Sequence, residues 1–270
     1  MRLQPLPPGA SVALDDDDAR LARPEDSSKE ELREELEKLT DRMDALQRAL
    51  YAEGARALLV VLQGRDASGK DGTLRKVFGP LDPLGVTATS FKAPTELELR
   101  HDFLWRVHLA SPPRGTIGVF NRSHYEDVLV VRVRKLAPEP VWRPRYDQIN
   151  RFERILIDNG TVILKFLLHI SREEQRQRLA ERLEDPEKYW KFNAGDLQER
   201  ELWDDYTGAY REMLTRTSTA EAPWYVVPAD DKPARDVLVA RTVTESLEAM
   251  NPRYPGPPAE LERLRRAVAE

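Results

Sequence analysis

The stretch LLVVLQGRDASGKDGTL, residues 58–74, constrains the fold more than any other part of the chain. The apolar run over 57–63 reads as a buried strand, the glycine-bounded segment 64–72 as a loop, and residues 69–78 as a helix. Strand, glycine loop and helix in that order are the context that the pattern GxxxxGK[ST] requires. Gly64 and Gly69 let the backbone turn and approach a ligand closely. The free N–H groups at the helix start, reinforced by the helix dipole, form an anion site, and Lys70 adds a point charge. Ala67, Ser68 and Gly72 belong to the same phosphate cradle. The loop signals phosphate without saying whose.

The pattern breaks at Asp71, which stands where Ser or Thr usually follows the lysine. With Asp66 it places two carboxylates beside a phosphate site, and they repel the ligand unless something offsets them. Mg²⁺, a hard cation that takes carboxylate and phosphate oxygens together, would do so. Asp66, inside the loop, is the first choice as ligand, directly or through water. Asp71 has a plainer reading as an acid in a first helical turn, worth ~0.3–1 kcal/mol.

Around this motif the chain alternates. Further strands are expected over 86–91, 116–121, 161–170 and 223–228. Helices are expected over about 95–110, about 143–158, after Ser171, and over about 233–250. Trp203, Tyr206, Tyr210 and Met213 stripe one more, with Asp196 as its cap. Such alternation predicts a parallel sheet covered on both faces. Ahead of it, Ser28 and Glu31 form a capping box. Leu32, Leu36, Leu39, Met43, Leu46 and Leu50 then make a narrow helical stripe, expected to dock on the main domain. Residues 1–26 are rich in Pro and Asp, lack an apolar period and read as a mobile tail. One domain is expected over 27–250, followed by a proline-rich stretch and a charged terminal helix over 251–270.

Charge narrows the partners. The net charge is −5, yet residues 1–53 carry 14 acidic and 8 basic side chains, so the rest is about neutral. Between 114 and 154, nine Lys and Arg face five Asp and Glu. Overall acidity argues against nucleic acid, whereas a local cationic surface suits a smaller polyanion. The chain has no cysteine, which leaves no disulfide framework or thiol nucleophile and fits a cytoplasmic protein. The best apolar runs fall far short of the ~20 residues that span a bilayer, so no membrane partner is expected.

The third strand ends in GVFNRSHYED, residues 118–127. Ligands of open parallel sheets bind beyond the carboxyl ends of the strands. Asn121 takes the usual place of a metal-associated Asp, keeping an acceptor oxygen but losing the charge; Glu126 or Asp127 would compensate. Arg122 would reach the phosphates. Ser123 and Glu126 also fit a capping box, so Glu126 stands open between ligand and cap. His124 reads as structural, since an ionised phosphate acceptor needs no general base. Farther on, Arg178 and Arg182 lie one helical turn apart, and Pro186 precedes Lys188, Tyr189, Trp190, Lys191 and Phe192. A charged segment with aromatics suggests a mobile lid over about 178–200. A lid that brings an arginine onto the transferring group is worth roughly 10³–10⁵ in some systems.

The segments GRDASGKDG, FNRSHYEDVLVVRV, EEQRQRLAERL and DPEKYWKF resemble the polyphosphate kinase 2 family, class III, over about residues 29–250. The form GxDxxGKDG separates that family from ordinary P-loop kinases. The resemblance implies a three-layer α/β sandwich: a P-loop kinase-like parallel sheet of about five strands with a helical lid. It implies Mg²⁺-dependent transfer (Mn²⁺ being the alternative ion) of the terminal phosphoryl group of inorganic polyphosphate to adenine nucleotides, with guanine nucleotides a further option. Class III members are similar in accepting both AMP and ADP. Asp66, Lys70 and Arg122 match the family's core site, and Arg178 its lid arginine. Arg182 and Lys191 would add phosphate contacts. Asn121 with Glu126 resembles the class III pairing. Arg65 stands where the family usually has a smaller or apolar residue, with no mechanism attached. A homo-oligomer, dimer or tetramer, is also implied. The rival readings are an ATP-dependent kinase of a small acceptor and a non-catalytic nucleotide-binding module.

Overall fold

A computed structural model describes residues 2–20, 28–193 and 195–269. A short helix α1 (Asp16–Ala19) precedes the long α2 (Lys29–Glu53). The Ser28–Glu31 capping box forms as expected, and Gly54, in the left-handed region, closes the helix. β1 (Ala57–Gln63) leads through the phosphate loop into α3 (Lys70–Thr73), which continues as a π-type turn over Leu74–Phe78. Then come β2 (Val86–Ser90), α4 (Trp105–Ala110), β3 (Ile117–Asn121) and a 3₁₀ turn (His124–Asp127). Two short helices follow, α5 (Val130–Val133) and α6 (Glu139–Trp142), neither expected from the sequence, before α7 (Arg145–Asp158) and β4 (Thr161–His169). The chain continues as α8 (Arg172–Glu184), a 3₁₀ turn (Pro186–Lys191), α9 (Gly195–Glu201), α10 (Trp203–Thr217), β5 (Trp224–Pro228), α11 (Lys232–Met250) and α12 (Leu261–Ala269).

All five strands are parallel, in the order β2-β3-β1-β4-β5. From β1 the chain crosses to the far edge at β2, returns beside β1 as β3, and then passes to the other side as β4. The loop after β1 thus opens where the sheet order reverses, the usual ligand crevice of such folds. Register sets its neighbour: Leu62 lies opposite Asn121, and the Arg122 N–H donates to the Leu62 carbonyl at 3.0 Å. The end of β3 therefore stands beside the start of the loop.

Every residue of β1 is buried. Leu59 and Val61 pack on one face with Ile149 and Phe152 of α7 and Met213 and Leu214 of α10. Leu58, Val60 and Leu62 pack on the other with Met43, Leu46 and Leu50 of α2 and Leu238, Val243 and Leu247 of α11. This three-layer arrangement explains the unbroken apolar run, since a strand covered on both faces has no solvent side. Each such side chain contributes about 1.5–3 kcal/mol on burial. The leucine stripe of α2 docks on the domain as expected. Among the described residues, no helix is long and apolar enough to cross a membrane.

Three expectations are corrected. Thr95 and Glu98 exchange the capping bonds expected of them, but they hold only a 3₁₀ turn, Glu98–Arg100. Asp102 accepts from the Leu104 N–H, so the chain restarts before α4. Asp196 does not cap α10; it lies in the first turn of a separate helix, α9. The third concerns residues 2–20, which do not trail from the domain but lie against it beside β5. The Leu6 N–H donates to the Trp224 carbonyl at 2.8 Å, and Ser218 Oγ donates to the Leu6 carbonyl at 2.5 Å. His169 Nε2 donates to the Asp15 carbonyl at 2.8 Å, and Leu14 and Ala19 are buried. This strap has no apolar period because its leucines fill separate gaps rather than one helical face. The rest of the expected tail, with the boundary at 27, lies outside the described residues.

Candidate active site

The loop owes its path to two glycines. At Gly64 (φ +153°) a Cβ would meet the Leu168 carbonyl oxygen at 2.6 Å. At Gly69 (φ +103°) it would overlap the Arg235 guanidinium. Ala67 (φ +64°) and Arg122 (φ +60°) adopt the left-handed region without that freedom, at a cost on the order of 1 kcal/mol each. Both strained residues lie at the cleft, where strain commonly accompanies function. Lys70 curls back into its own loop, donating to the Gly64 carbonyl at 2.7 Å and the Arg65 carbonyl at 3.0 Å.

The structure brings Asp66, Arg122 and Glu126 together. Arg122 meets Asp66 at 2.5 Å and Glu126 at 3.4 Å, and Gln63 Nε2 donates to Glu126 at 3.1 Å. Although burial works against the Arg122 charge, Glu126 and Asp66 hold it above the ordinary arginine range. Glu126 is not a helix cap: Ser123 accepts from the Tyr125 N–H, and the Glu126 carboxylate turns to Gln63 and Arg122. Asn121 donates to Asp71 at 2.6 Å, so Asn121 pairs with that loop acid rather than with Glu126. Asp127 leaves the group, pairing with Arg145 at 2.8 Å. Burial outweighs Arg145 and Arg106 there and pushes the Asp127 carboxyl up to about 6.

Two cavities meet at this cluster. One, of about 590 Å³, is lined by Asp66, Ala67 and residues 69–72 of the loop and by cations that include Arg75, Lys92, Arg182, Lys188, Lys191 and Lys232. The other, of about 230 Å³, is lined by Glu126, Glu199, Tyr206 and Tyr210, among others. Asp66, Arg122 and Asp196 belong to both walls. Among the described residues, no three His, Asp or Glu side chains converge as a ready-made metal cage. The donor set nevertheless fits a hard divalent ion that draws most of its oxygens from phosphate and water. The partly exposed carboxylate of Asp66, with Glu126 behind it, offers the one or two protein oxygens such an ion takes.

Arg178 departs most from its expected place. It is buried, and it donates to the carbonyls of Ala67 (2.9 Å), Ser68 (3.3 Å), Ala229 (2.6 Å) and Asp230 (2.8 Å), with Nε on Glu174 (2.7 Å). A guanidinium so engaged braces the back of the loop. It is Arg182, one turn on, that reaches the following segment, binding the Lys191 carbonyl at 3.2 Å and Asp196 at 3.1 Å. Arg178→Ala is therefore expected to cost about 3 kcal/mol or more of stability, because several buried charge-assisted bonds vanish together and Glu174 loses its partner. Urea denaturation checks this; unchanged stability with a lowered turnover would return Arg178 to a catalytic role.

The sequence model of Polyphosphate kinase 2 (PPK2) matches residues 26–255. The chain belongs to the polyphosphate kinase 2 family. It is 54% identical over 231 residues to the AMP/ADP-polyphosphate phosphotransferase of Meiothermus ruber, covering 86% of each chain. It is 46% identical over 240 residues to the ADP-polyphosphate phosphotransferase of Rhodopseudomonas palustris, covering 84% of this chain and 83% of that one. The crystal structure of polyphosphate kinase 2 from Arthrobacter aurescens TC1 superposes with a TM-score of 0.87 at 41% identity, over 92% of this chain and 91% of that one. The three-layer polyphosphate kinase 2 fold thus carries the loop, the Arg122 turn and helices α8 and α9 described above, while the strap over 2–20 precedes the family match.

Four residues that the structure places around this cluster were not given that place by sequence reasoning. Arg235 of α11 donates to the Ser68 carbonyl at 3.2 Å while paired with Asp236, which also accepts from Thr73 at 2.9 Å. Arg65 stacks on Trp203, 3.8 Å from the ring centroid, and donates to Thr207 at 2.6 Å, tying the loop to α10. Gln175 donates to the Asp66 carbonyl at 3.0 Å. Asp196 faces Asp66 across the cavity junction; burial first, then the Asp66 charge, raises its pKa. Arg65 had left a signal as a cation inside an otherwise familiar motif, and Asp196 one that read as a helix cap.

Burial pushes the Lys70 ammonium down to about 8, and Arg122 adds to the effect against Asp66, Glu126 and Asp71. A value below the ordinary 10.5 means that the buried charge weakens the unliganded fold at neutral pH and that stability recovers as pH rises from about 8 toward 10.5. A bound phosphate reverses this by favouring the charged form. Polyphosphate binding near pH 8.5 is therefore expected to take up most of a proton at Lys70, and little near pH 6.5. Calorimetry in buffers of different ionisation enthalpy measures it; equal uptake in Lys70→Met would assign the proton elsewhere.

Proposed function

We propose that this chain transfers the terminal phosphoryl group of inorganic polyphosphate to AMP and to ADP, forming ADP and then ATP, with Mg²⁺ as the ion and Mn²⁺ as its substitute. The observation that carries the reading is the placement of Arg122, Asp66 and Asp196 in the shared wall of two cavities, one cationic and continuous with the phosphate loop. Two anionic substrates can then approach one point from two sides. The names of the relatives from M. ruber and R. palustris agree with this assignment.

The chain's part is positional and electrostatic. The loop N–H groups and Lys70 hold phosphate oxygens, and the cations of the larger cavity offset a long polyanion. An oxygen of the acceptor phosphate attacks the terminal phosphorus while the bond to the bridging oxygen breaks. Arg122 faces the charge that spreads over the transferring group. The acceptor is already ionised, so no base is needed, and His124 is not placed to act as one: it is buried against Glu153 at 3.2 Å. Mg²⁺, when bound through Asp66, supplies neutralisation of phosphate charge. In this reading the expected lid over about 178–200 narrows to about 186–200, because Arg178 is held against the loop, and Arg182 and Asp196 are its latch. A homo-oligomer of two or four chains, a cytoplasmic setting and acceptance of guanine nucleotides belong to the same proposal.

The deciding mixture contains protein, AMP, polyphosphate and Mg²⁺ without ATP. ADP should appear first and ATP second, and a chelator should stop both. ADP formed only when ATP replaces polyphosphate would establish an ATP-dependent kinase instead, and silence in both mixtures would leave a nucleotide-binding module.

A further inference from the structure

Beneath the turn that carries Arg122 and Glu126 lies a charged group that no step of the transfer touches. Lys165, midway along β4, and Glu153, on α7, are both buried and pair at 2.7 Å. Glu153 Oε1 accepts from the Tyr125 hydroxyl at 2.6 Å and lies 3.2 Å from His124 Nε2. Lys165 Nζ also donates to the Tyr125 hydroxyl oxygen at 3.0 Å and to the Thr217 carbonyl at 2.6 Å. The other ring nitrogen of His124 has no partner among the described residues, so Glu153 is what orients the imidazole. The Tyr125 ring packs edge-on against Trp224 at 4.8 Å, and Trp224 Nε1 donates to Thr217 Oγ1 at 2.9 Å.

A buried ion pair adds little stability over an apolar pair of the same size, because lost hydration offsets the attraction. What it adds is direction. Glu153 collects donors from β4 and from two consecutive residues of the 3₁₀ turn, and those two sit between Arg122 and Glu126 in the chain. The turn needs such an anchor. Arg122 enters it in the left-handed region, and its internal bonds are few: Tyr125 N–H to Ser123 Oγ at 3.2 Å, Glu126 N–H to the Ser123 carbonyl at 3.1 Å, and the long Arg122–Glu126 contact at 3.4 Å.

We infer that Glu153 and Lys165 are positioning residues for phosphoryl transfer, holding the 122–127 turn through Tyr125 and His124 so that Arg122 and Glu126 face the junction of the two cavities. The inference rests on the phosphotransferase reading above, since transfer is what it predicts to change. The test is steady-state kinetics of the full chain with three variants: Glu153→Gln, Tyr125→Phe, and the double variant Glu153→Gln/Lys165→Met, which removes both charges at similar volume. A displacement of reacting groups by about 1 Å costs on the order of 10²-fold, so that fall in kcat is expected for Glu153→Gln and for the double variant. The nucleotide KM should stay within about threefold, because ground-state binding is not what these residues serve. Tyr125→Phe, which keeps the ring and the ion pair, should lose about tenfold in kcat. Circular dichroism and active-site titration give the folded fraction. Native kcat per folded molecule in the double variant overturns the inference. If the double variant does not fold, native kcat in Tyr125→Phe overturns it. The unaltered chain in the same assay reports separately on the phosphotransferase reading.

Discussion

Lys70→Ala is expected to lower kcat by about 10³-fold or more while the chain stays folded. The reasons are geometric. Lys70 is the cation that the loop carries within its own curl, 2.7 Å from the Gly64 carbonyl, and the glycine at 69 leaves the backbone N–H groups beside it open. Removing the amine leaves those N–H groups to face a polyanion with a weaker field. Removing a buried charge whose own desolvation is costly should not destabilise the ligand-free protein much at neutral pH, so the melting temperature should move by only a few degrees. Turnover within tenfold of the unaltered chain, in folded protein, would take the lysine out of the mechanism.

Arg122→Ala is expected to cost about 10³–10⁵ in kcat, the range of cations that stabilise a transferring phosphoryl group. Arg122 forks between Asp66 and Glu126 at the meeting point of both cavities. Its loss removes that stabilising charge and also leaves two acids repelling each other and the substrates. Arg122→Lys should recover little of the rate, because an ammonium on a flexible stem cannot span both carboxylates at once. The expected signature is a fall in kcat and kcat/KM together, the mark of an interaction made in the transition state. A raised KM with kcat unchanged would make Arg122 a binding residue only.

Sheet and loop were legible in the sequence because each left a local signal. A strand buried on both faces reads as an unbroken apolar run, and a phosphate loop reads as glycines at fixed offsets. Lys70, Asp66 and Arg122 were legible as residues at strand ends, and the structure sets the ends of β1 and β3 side by side. Arg178 was legible as a helical arginine near the loop, but spacing does not say where a guanidinium points. Here it turns into the carbonyls of Ala67 and Ser68 while still forming part of the wall of the larger cavity. Arg235 left no signal, because its contact with Ser68 depends on how α11 crosses beneath the loop. The strap over 2–20 was misread for a different reason. Periodicity detects a segment that buries a face, and this one buries scattered side chains while its backbone bonds do the rest.

That strap has a consequence for how the molecule is made. Its anchors are the Trp224 carbonyl, Ser218, His169 and the Asp230 N–H, all contributed by the second half of the chain. Residues 2–20 therefore leave the ribosome well before the residues that seat them, and until β5 has emerged their leucines have nowhere to go. The growing chain must keep this greasy strap unattached until the edge strand that seats it has been made.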